Sequence, residues 1–181
     1  YVLDFNFSLI DTLFISKVLF ESGLNYVEIG HGLGLGASKS GNYKKSLFTD
    51  NDYIKYANIA KISKKNKIGS FCFTGNVTNE NFDEAKKNGL DFIRFAYEEK
   101  KLQKLKKDIS YCNKIGLEVH LNLIKTYKYT FKQVQNIIKK INNLKKKYLY
   151  IVDSSGGMKT SELINYIKSI KKVMNKNIKI G

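Results

Sequence analysis

Two short stretches carry the side chains best suited to chemistry. The first is Gly30-His31-Gly32-Leu33-Gly34-Leu35-Gly36-Ala37-Ser38, directly behind the β-rich run Tyr26–Gly30. A histidine can exchange a proton near neutral pH, and glycines let backbone approach a ligand closely. The spacing is G-x-G-x-G rather than G-x-G-x-x-G and no helix opens behind it, so a nicotinamide site is not expected. Roughly 18 residues separate this strand from its helix, which is long for a βα connection and suggests a binding loop or lid. His31 would sit at the strand tip; a flexible loop with a surface histidine is the plainer alternative. The second stretch is Val152-Asp153-Ser154-Ser155-Gly156-Gly157-Met158, ahead of a helix at Thr160. Hydroxyls and glycines before a helix N-terminus present N–H groups to an anion such as a carboxylate. A turn with an N-cap would explain the same residues. The serine-hydrolase pattern G-x-S-x-G is absent from this stretch.

A third group is dispersed. Glu28, Arg94, His120 and Asn122 alternate with apolar residues inside β-rich runs, and Asp153 follows Ile151 and Val152. If helices cover one face of a parallel sheet, these polar side chains must point to the other face. From separate strands they would converge, and Glu28 and Arg94 would compensate each other's charge, because an unpaired buried charge is costly. An ion pair without a chemical role fits those two residues equally well.

The elements that must position these groups follow from periodicity. Residues 8–22 form a helical stripe behind the possible N-cap Ser8. Strand 26–30 follows, then helix 49–65, strand 68–73, helix 79–88, strand 92–96, helix 102–115 and strand 117–123. The pair Thr130 and Gln133 opens a helix to about residue 144, followed by strand 148–152, a helix from Thr160 and a strand over 177–181. Three joints share one local code: Gly23-Leu24, Gly89-Leu90 and Gly116-Leu117, each followed by strand formers. A glycine enters the left-handed helix cap without a Cβ clash, so the repeat argues for successive βαβ units and a parallel sheet. The fold class expected is α/β: an incomplete (β/α)8 TIM barrel holding about strands 2 to 7 with their helices. It is one partial catalytic domain over residues 1–181, and an open doubly wound sheet is the alternative.

Composition narrows the function classes. The chain has 32 basic against 16 acidic residues, for a net charge of +16, yet Arg94 is its single arginine. A groove reader would use the bidentate arginine fork, so no specific nucleic-acid partner is expected. Pro and Trp are also absent, and all three types depend on GC-rich codons, so genome bias explains the lysine excess as well as selection does. No apolar run is long enough to span a membrane and no leader is visible, so no membrane partner and a cytoplasmic location are expected. Cys72 and Cys112 lack C-x-x-C spacing. They read as buried thiols of a reduced, intracellular protein.

At the two loop clusters the chain resembles a known family. Tyr26–Ser38 is similar to the second-strand segment of 4-hydroxy-2-oxovalerate aldolases, within the HMG-CoA lyase-like group of metal-dependent barrel enzymes. Val152–Met158 is similar to that family's sixth-strand segment, and Gly89–Ala96 and Leu121–Leu123 match its fourth and fifth strands more loosely. The resemblance implies a carbon–carbon lyase, an aldolase in which a divalent metal, Mn2+ or Mg2+, stabilises the enolate of a 2-oxo acid. It implies that Ser154 contacts the substrate carboxylate and that His31 lines the pocket, with pyruvate and an aldehyde as small-molecule partners and an oligomer possible; Arg94 and Asp153, from the inward polar set, complete the candidate substrate-binding residues. The family's Arg-Asp pair and its His-x-His metal ligands have no counterpart between Tyr1 and Gly181, so the ligands are expected outside this segment, and Tyr1 falls near the position of the family's base histidine. No metal ligand or catalytic base is assigned here, and the segment alone is expected to be inactive. The competing readings are an acyltransferase of the same fold joining an acyl thioester to a 2-oxo acid, a non-catalytic lysine-rich polyanion binder, and a degenerate barrel acting as a partner subunit.

Overall fold

A computed structural model describes residues 6–39 and 44–181; Tyr1, considered above beside the missing base, lies outside them. Helices and strands alternate as α1 (Leu9–Glu21), β1 (Tyr26–Glu28), α2 (Asp50–Ile59), β2 (Lys67–Phe73), α3 (Asn79–Lys87) and β3 (Phe92–Ala96). The second half continues with α4 (Leu102–Lys114), β4 (Glu118–Leu123), α5 (Phe131–Ile141), β5 (Tyr148–Ile151), α6 (Thr160–Lys171) and β6 (Lys179–Ile180). All six strands are parallel in the order β1-β2-β3-β4-β5-β6. A doubly wound sheet reverses its strand order at a switch point; this sheet never does, and it curls as a half-barrel. Among the described residues β1 and β6 each pair on one side only.

Local chemistry explains the boundaries. Ser8 with Asp11, Thr49 with Asp52 and Thr130 with Gln133 form capping boxes that open α1, α2 and α5. The repeated joints end α1, α3 and α4 with glycines at φ +91°, +105° and +77°. The next residue's N–H reaches back into the helix, as from Leu90 to Ala85 O at 3.0 Å. Helix α2 stops at Ile59 rather than near residue 65. Asn66 gathers the following turn, its Oδ1 accepting from the N–H groups of Ile62 at 3.0 Å and Ser63 at 2.8 Å, so those groups never enter a helical ladder.

The outer faces of the strands (Ile68, Ile93, Phe95, Val119, Leu121, Leu149) pack on the buried stripes of the helices, such as Ile54, Phe82, Leu105, Val134 and Ile170. Cys72 and Cys112 lie in this layer, and burial pushes the Cys112 thiol up to about 12, so neither is poised to react. The inner face is aromatic and polar. Phe92 stacks on His120 with centroids 4.8 Å apart, and Tyr26 meets Phe92 edge-on at 5.3 Å. Gly69 leaves the room for this cluster; a Cβ there would sit 2.1 Å from the Phe92 ring. At the amino end of the strands, Glu118 accepts from Lys67 Nζ at 2.6 Å, Tyr26 OH at 3.0 Å and Lys147 Nζ at 3.1 Å, and pairs with His120 Nε2 at 2.8 Å.

Candidate active site

Alternation along the strands brings Glu28 and Arg94 to the carboxyl rim of the inner face. Register places Arg94 beside Phe71 on β2 and His120 on β4, and Ala96 beside Asn122. Arg94 donates from Nε to Glu28 Oε2 at 2.6 Å and from NH2 to Glu28 Oε1 at 2.5 Å, a bidentate fork. Its NH1 donates to Asn122 Oδ1 at 3.2 Å. The guanidinium lies between the rings of Phe71 and Tyr150, 5.5 and 5.4 Å from their centroids. A guanidinium has five N–H donors. Three are used here, so two remain on a rigidly held cation that is about a quarter exposed. A cavity of 360 Å³ opens beside it, lined by Glu28, Ile29, Gly30, His31, Gly32, Phe71 and Arg94. That volume suits a small molecule, and the donors suit a carboxylate or a polarised carbonyl.

His31 lies at this cavity, but it is buried and both ring nitrogens are engaged. Nδ1 accepts from the Leu33 N–H at 3.1 Å, which leaves Nε2–H to donate to the Lys44 carbonyl at 2.9 Å. The ring therefore braces the long loop while one face lines the pocket. Only part of the glycine run approaches the cavity. Gly34 and Gly36, at φ +94° and +81°, press on the backbone of β2 and the loop after it instead; a Cβ would fall 2.8 Å from Phe71 O and 2.6 Å from Asn76 O. The Gly36 N–H donates to Asp50 at 2.8 Å, a carboxyl whose pKa burial raises. These glycines serve chain packing: the loop returns along β2, where the Leu35 N–H donates to Phe71 O at 2.8 Å.

The second cluster folds on itself. Asp153 accepts from the Met158 N–H at 2.7 Å and the Ser155 N–H at 3.4 Å, and these backbone bonds hold its pKa down. Its carboxylate thus shapes the loop. Ser154 accepts at Oγ from the Lys125 N–H at 3.1 Å, joining the β5 loop to the β4 loop, and it does not line the Arg94 cavity. The structure therefore brings Glu28, His31 and Arg94 to one cavity and sets Ser154 and Asp153 on the β5 loop of the same rim.

Three rim groups received no role from sequence reasoning. Asn122 was legible from strand alternation, and its contact with Arg94 gives it one. Tyr150 follows from the β5 register, since it faces Asn122. Lys125 had no signal: it is a non-glycine residue at φ +53°, held there by Ser154 and by the Lys128 N–H on its carbonyl at 2.9 Å. Among the described residues, no group of three or more His, Cys, Asp or Glu side chains is placed to hold a metal ion. Glu28, the acid nearest the cavity, is committed to Arg94. These residues do not by themselves fit a divalent metal.

No family model matches the chain. It is 29% identical over 161 residues to a 4-hydroxy-2-oxovalerate aldolase from Geobacillus genomosp. 3, covering 89% of this chain and 47% of the relative. It is 22% identical over 171 residues to an oxaloacetate decarboxylase from Mycobacterium tuberculosis, covering 94% of this chain and 49% of the relative. The chain thus spans about half the length of the curated relatives it matches. In structure it superposes on hydroxymethylglutaryl-CoA lyase from Pseudomonas aeruginosa with a TM-score of 0.73 at 11% identity, over 96% of this chain and 60% of that one. The carboxyl transferase domain of Rhizobium etli pyruvate carboxylase gives 0.75 at 12% identity, over 97% of this chain and 32% of that one. The fold is that of the barrel shared by these lyase and transferase domains, and in sequence the chain is similar to 4-hydroxy-2-oxovalerate aldolases over about nine-tenths of its length.

Proposed function

We propose that this chain is part of the catalytic barrel of a 2-oxo acid aldolase, cleaving or forming the carbon–carbon bond between the α-carbon of a pyruvate unit and the carbon that bears the hydroxyl. The observation that carries the reading is the Arg94 guanidinium, clamped by Glu28 and Asn122 at the carboxyl rim, with two donors unused and a 360 Å³ cavity that it helps to line. Such a group binds the substrate carboxylate or carbonyl and stabilises the negative charge that grows on the oxygen as an enolate forms. Glu28 fixes the plane of the fork, and Phe71 and Tyr150 hold it between them. The buried His31 keeps the loop over one side of the pocket, which excludes water there. Ser154 and the loop shaped by Asp153 stand at the rim to receive a second polar end. A divalent metal, manganese or magnesium, would act on the enolate oxygen when bound, held by residues other than those described.

The half-barrel supports the partial-domain reading. Ile10, Phe14 and Val18 are exposed on α1, the helix that precedes the edge strand β1, and Leu163 and Ile164 are exposed on α6, the helix that precedes the edge strand β6. Further βα units would cover these faces. The test is to assay the full-length gene product for pyruvate release from 4-hydroxy-2-oxovalerate with manganese present, beside condensation of an acetyl thioester with a 2-oxo acid. Release that falls by about 10² to 10³ in Arg94→Met supports the aldolase. Thioester condensation without aldol cleavage favours the acyltransferase. No turnover of either kind, or an Arg94→Met variant as active as wild type, removes the proposal.

A further inference from the structure

Because every strand is parallel, the helix-to-strand joints all gather at the amino end of the sheet and the strand-to-helix loops at the carboxyl end. The charge is unequally shared between them. The joints 21–25, 60–67, 86–91, 114–118, 142–147 and 171–179 hold fourteen lysines against Glu21, Asp91 and Glu118. The loops 29–50, 74–79, 97–101, 124–130 and 152–160 hold eight lysines against four acids. Genome bias raises lysine everywhere and does not sort it by face. Helix dipoles favour cations in the last turn of each helix, yet Lys64, Lys65, Lys145 and Lys176 lie beyond the helix ends, are exposed, and have no acidic partner among the described residues.

The same face carries an aliphatic knob. Of the three leucines in the glycine–leucine joints, Leu90 and Leu117 are 1% and 2% exposed, but Leu24 is 49% exposed. It is fixed beside Ile62, itself 55% exposed, because the side chain of Asn66 donates to Leu24 O at 3.3 Å and accepts from the Ile62 N–H. The backbones of the two residues are thus tied to one asparagine in a turn that carries Lys64 and Lys65, with Lys61 paired to Asp91 at 2.6 Å. The single arginine is committed to Glu28, and no exposed aromatic side chain is available on these joints for base stacking.

We propose that this amino-end face is a peripheral docking surface for a bilayer rich in anionic phospholipid, with the lysines meeting the headgroups and Leu24 and Ile62 entering the interfacial layer. The pairing of basic side chains with a few aliphatic anchors is what such an interface requires. A phosphate backbone would use the lysines and leave the knob exposed to solvent, so nucleic acid fits less well. The expectation of no membrane partner rested on the lack of a spanning segment, and among the described residues no helix is long and apolar enough to cross; surface contact needs none. This face is opposite the Arg94 cavity, and the inference is independent of the aldolase reading.

The chain contains no tryptophan, so an introduced one reports without background. The test places tryptophan singly at Leu24, at Ile62 and, as the control on the carboxyl face, at the exposed Tyr127. Each variant is mixed with vesicles of phosphatidylcholine, alone or with phosphatidylglycerol. The expected result is co-sedimentation with the anionic vesicles only, with blue-shifted emission from Leu24→Trp and Ile62→Trp and none from Tyr127→Trp. Reversing Lys64, Lys65, Lys145 and Lys176 to glutamate should weaken vesicle binding at least about a hundredfold, and Leu24→Ser with Ile62→Ser about tenfold. The proposal is overturned by no sedimentation, by an equal shift at Tyr127→Trp, or by an equal loss on reversing Lys100, Lys128, Lys132 and Lys159. Tight binding to duplex DNA or RNA with no vesicle binding would also overturn it.

Discussion

Replacing Glu118 by glutamine should cost about 3 kcal/mol at neutral pH, and the figure comes from the donors around it. The side chain is 17% exposed, and burial by itself would raise its pKa. Hydrogen bonds from Lys67, His120, Lys147 and Tyr26 outweigh burial and bring it from 4.5 down to about 2. At about 1.4 kcal/mol per pH unit, that corresponds to roughly 3 kcal/mol favouring the ionised folded form. Glutamine keeps one acceptor oxygen but turns an NH2 group toward existing donors and leaves Lys67 and Lys147 without an anion. Those lysines are 31% and 38% exposed and can relax toward water, which keeps the cost near the lower end of the range for breaking a buried pair. Because the folded pKa is depressed, the stabilisation is complete above about pH 4.5 and is lost as pH falls toward 2. Urea unfolding followed by circular dichroism, at neutral pH and stepwise down to pH 2, measures both effects. Wild type should lose stability across that window, while Glu118→Gln should start lower and lack this part of the decline. A variant within about 0.5 kcal/mol of wild type at pH 7, with an unchanged acid limb, would refute the idea that this carboxylate ties the strand ends together.

Other consequences are equally direct. Lys125→Gly removes a Cβ from a left-handed residue and should stabilise the fold by about 1 kcal/mol in a thermal melt; destabilisation would mean that the lysine side chain itself holds the loop. Gly34→Ala combines φ +94° with a Cβ 2.8 Å from Phe71 O and should cost about 2 kcal/mol or more in urea unfolding. Tyr26→Phe deletes the hydroxyl shared by Glu118 and Lys147, at 3.0 and 2.6 Å, and should cost about 1 kcal/mol; that loss should disappear in a Glu118→Gln background if the two act together.

Much of this molecule was legible because the relevant signals are local. A capping box spans four residues, a glycine cap one joint, and the alternation of Glu28, Arg94 and Asn122 only their own strands, so helix and strand positions and the inward polar set follow from short windows of sequence. Tertiary structure alone decided partnerships between distant residues. Glu118 is an unremarkable strand residue until Tyr26, Lys67 and Lys147 arrive from 92, 51 and 29 positions away. Asp153, Gly34 and Gly36 look alike in sequence as candidate ligand contacts; only the fold shows that Asp153 accepts from its own loop and that the two glycines press on a neighbouring backbone, as buried polar and backbone groups find partners close by. The amount of positive charge is a property of composition. Its collection on one face is a property of parallel strands, which send every helix-to-strand joint to the same end of the sheet.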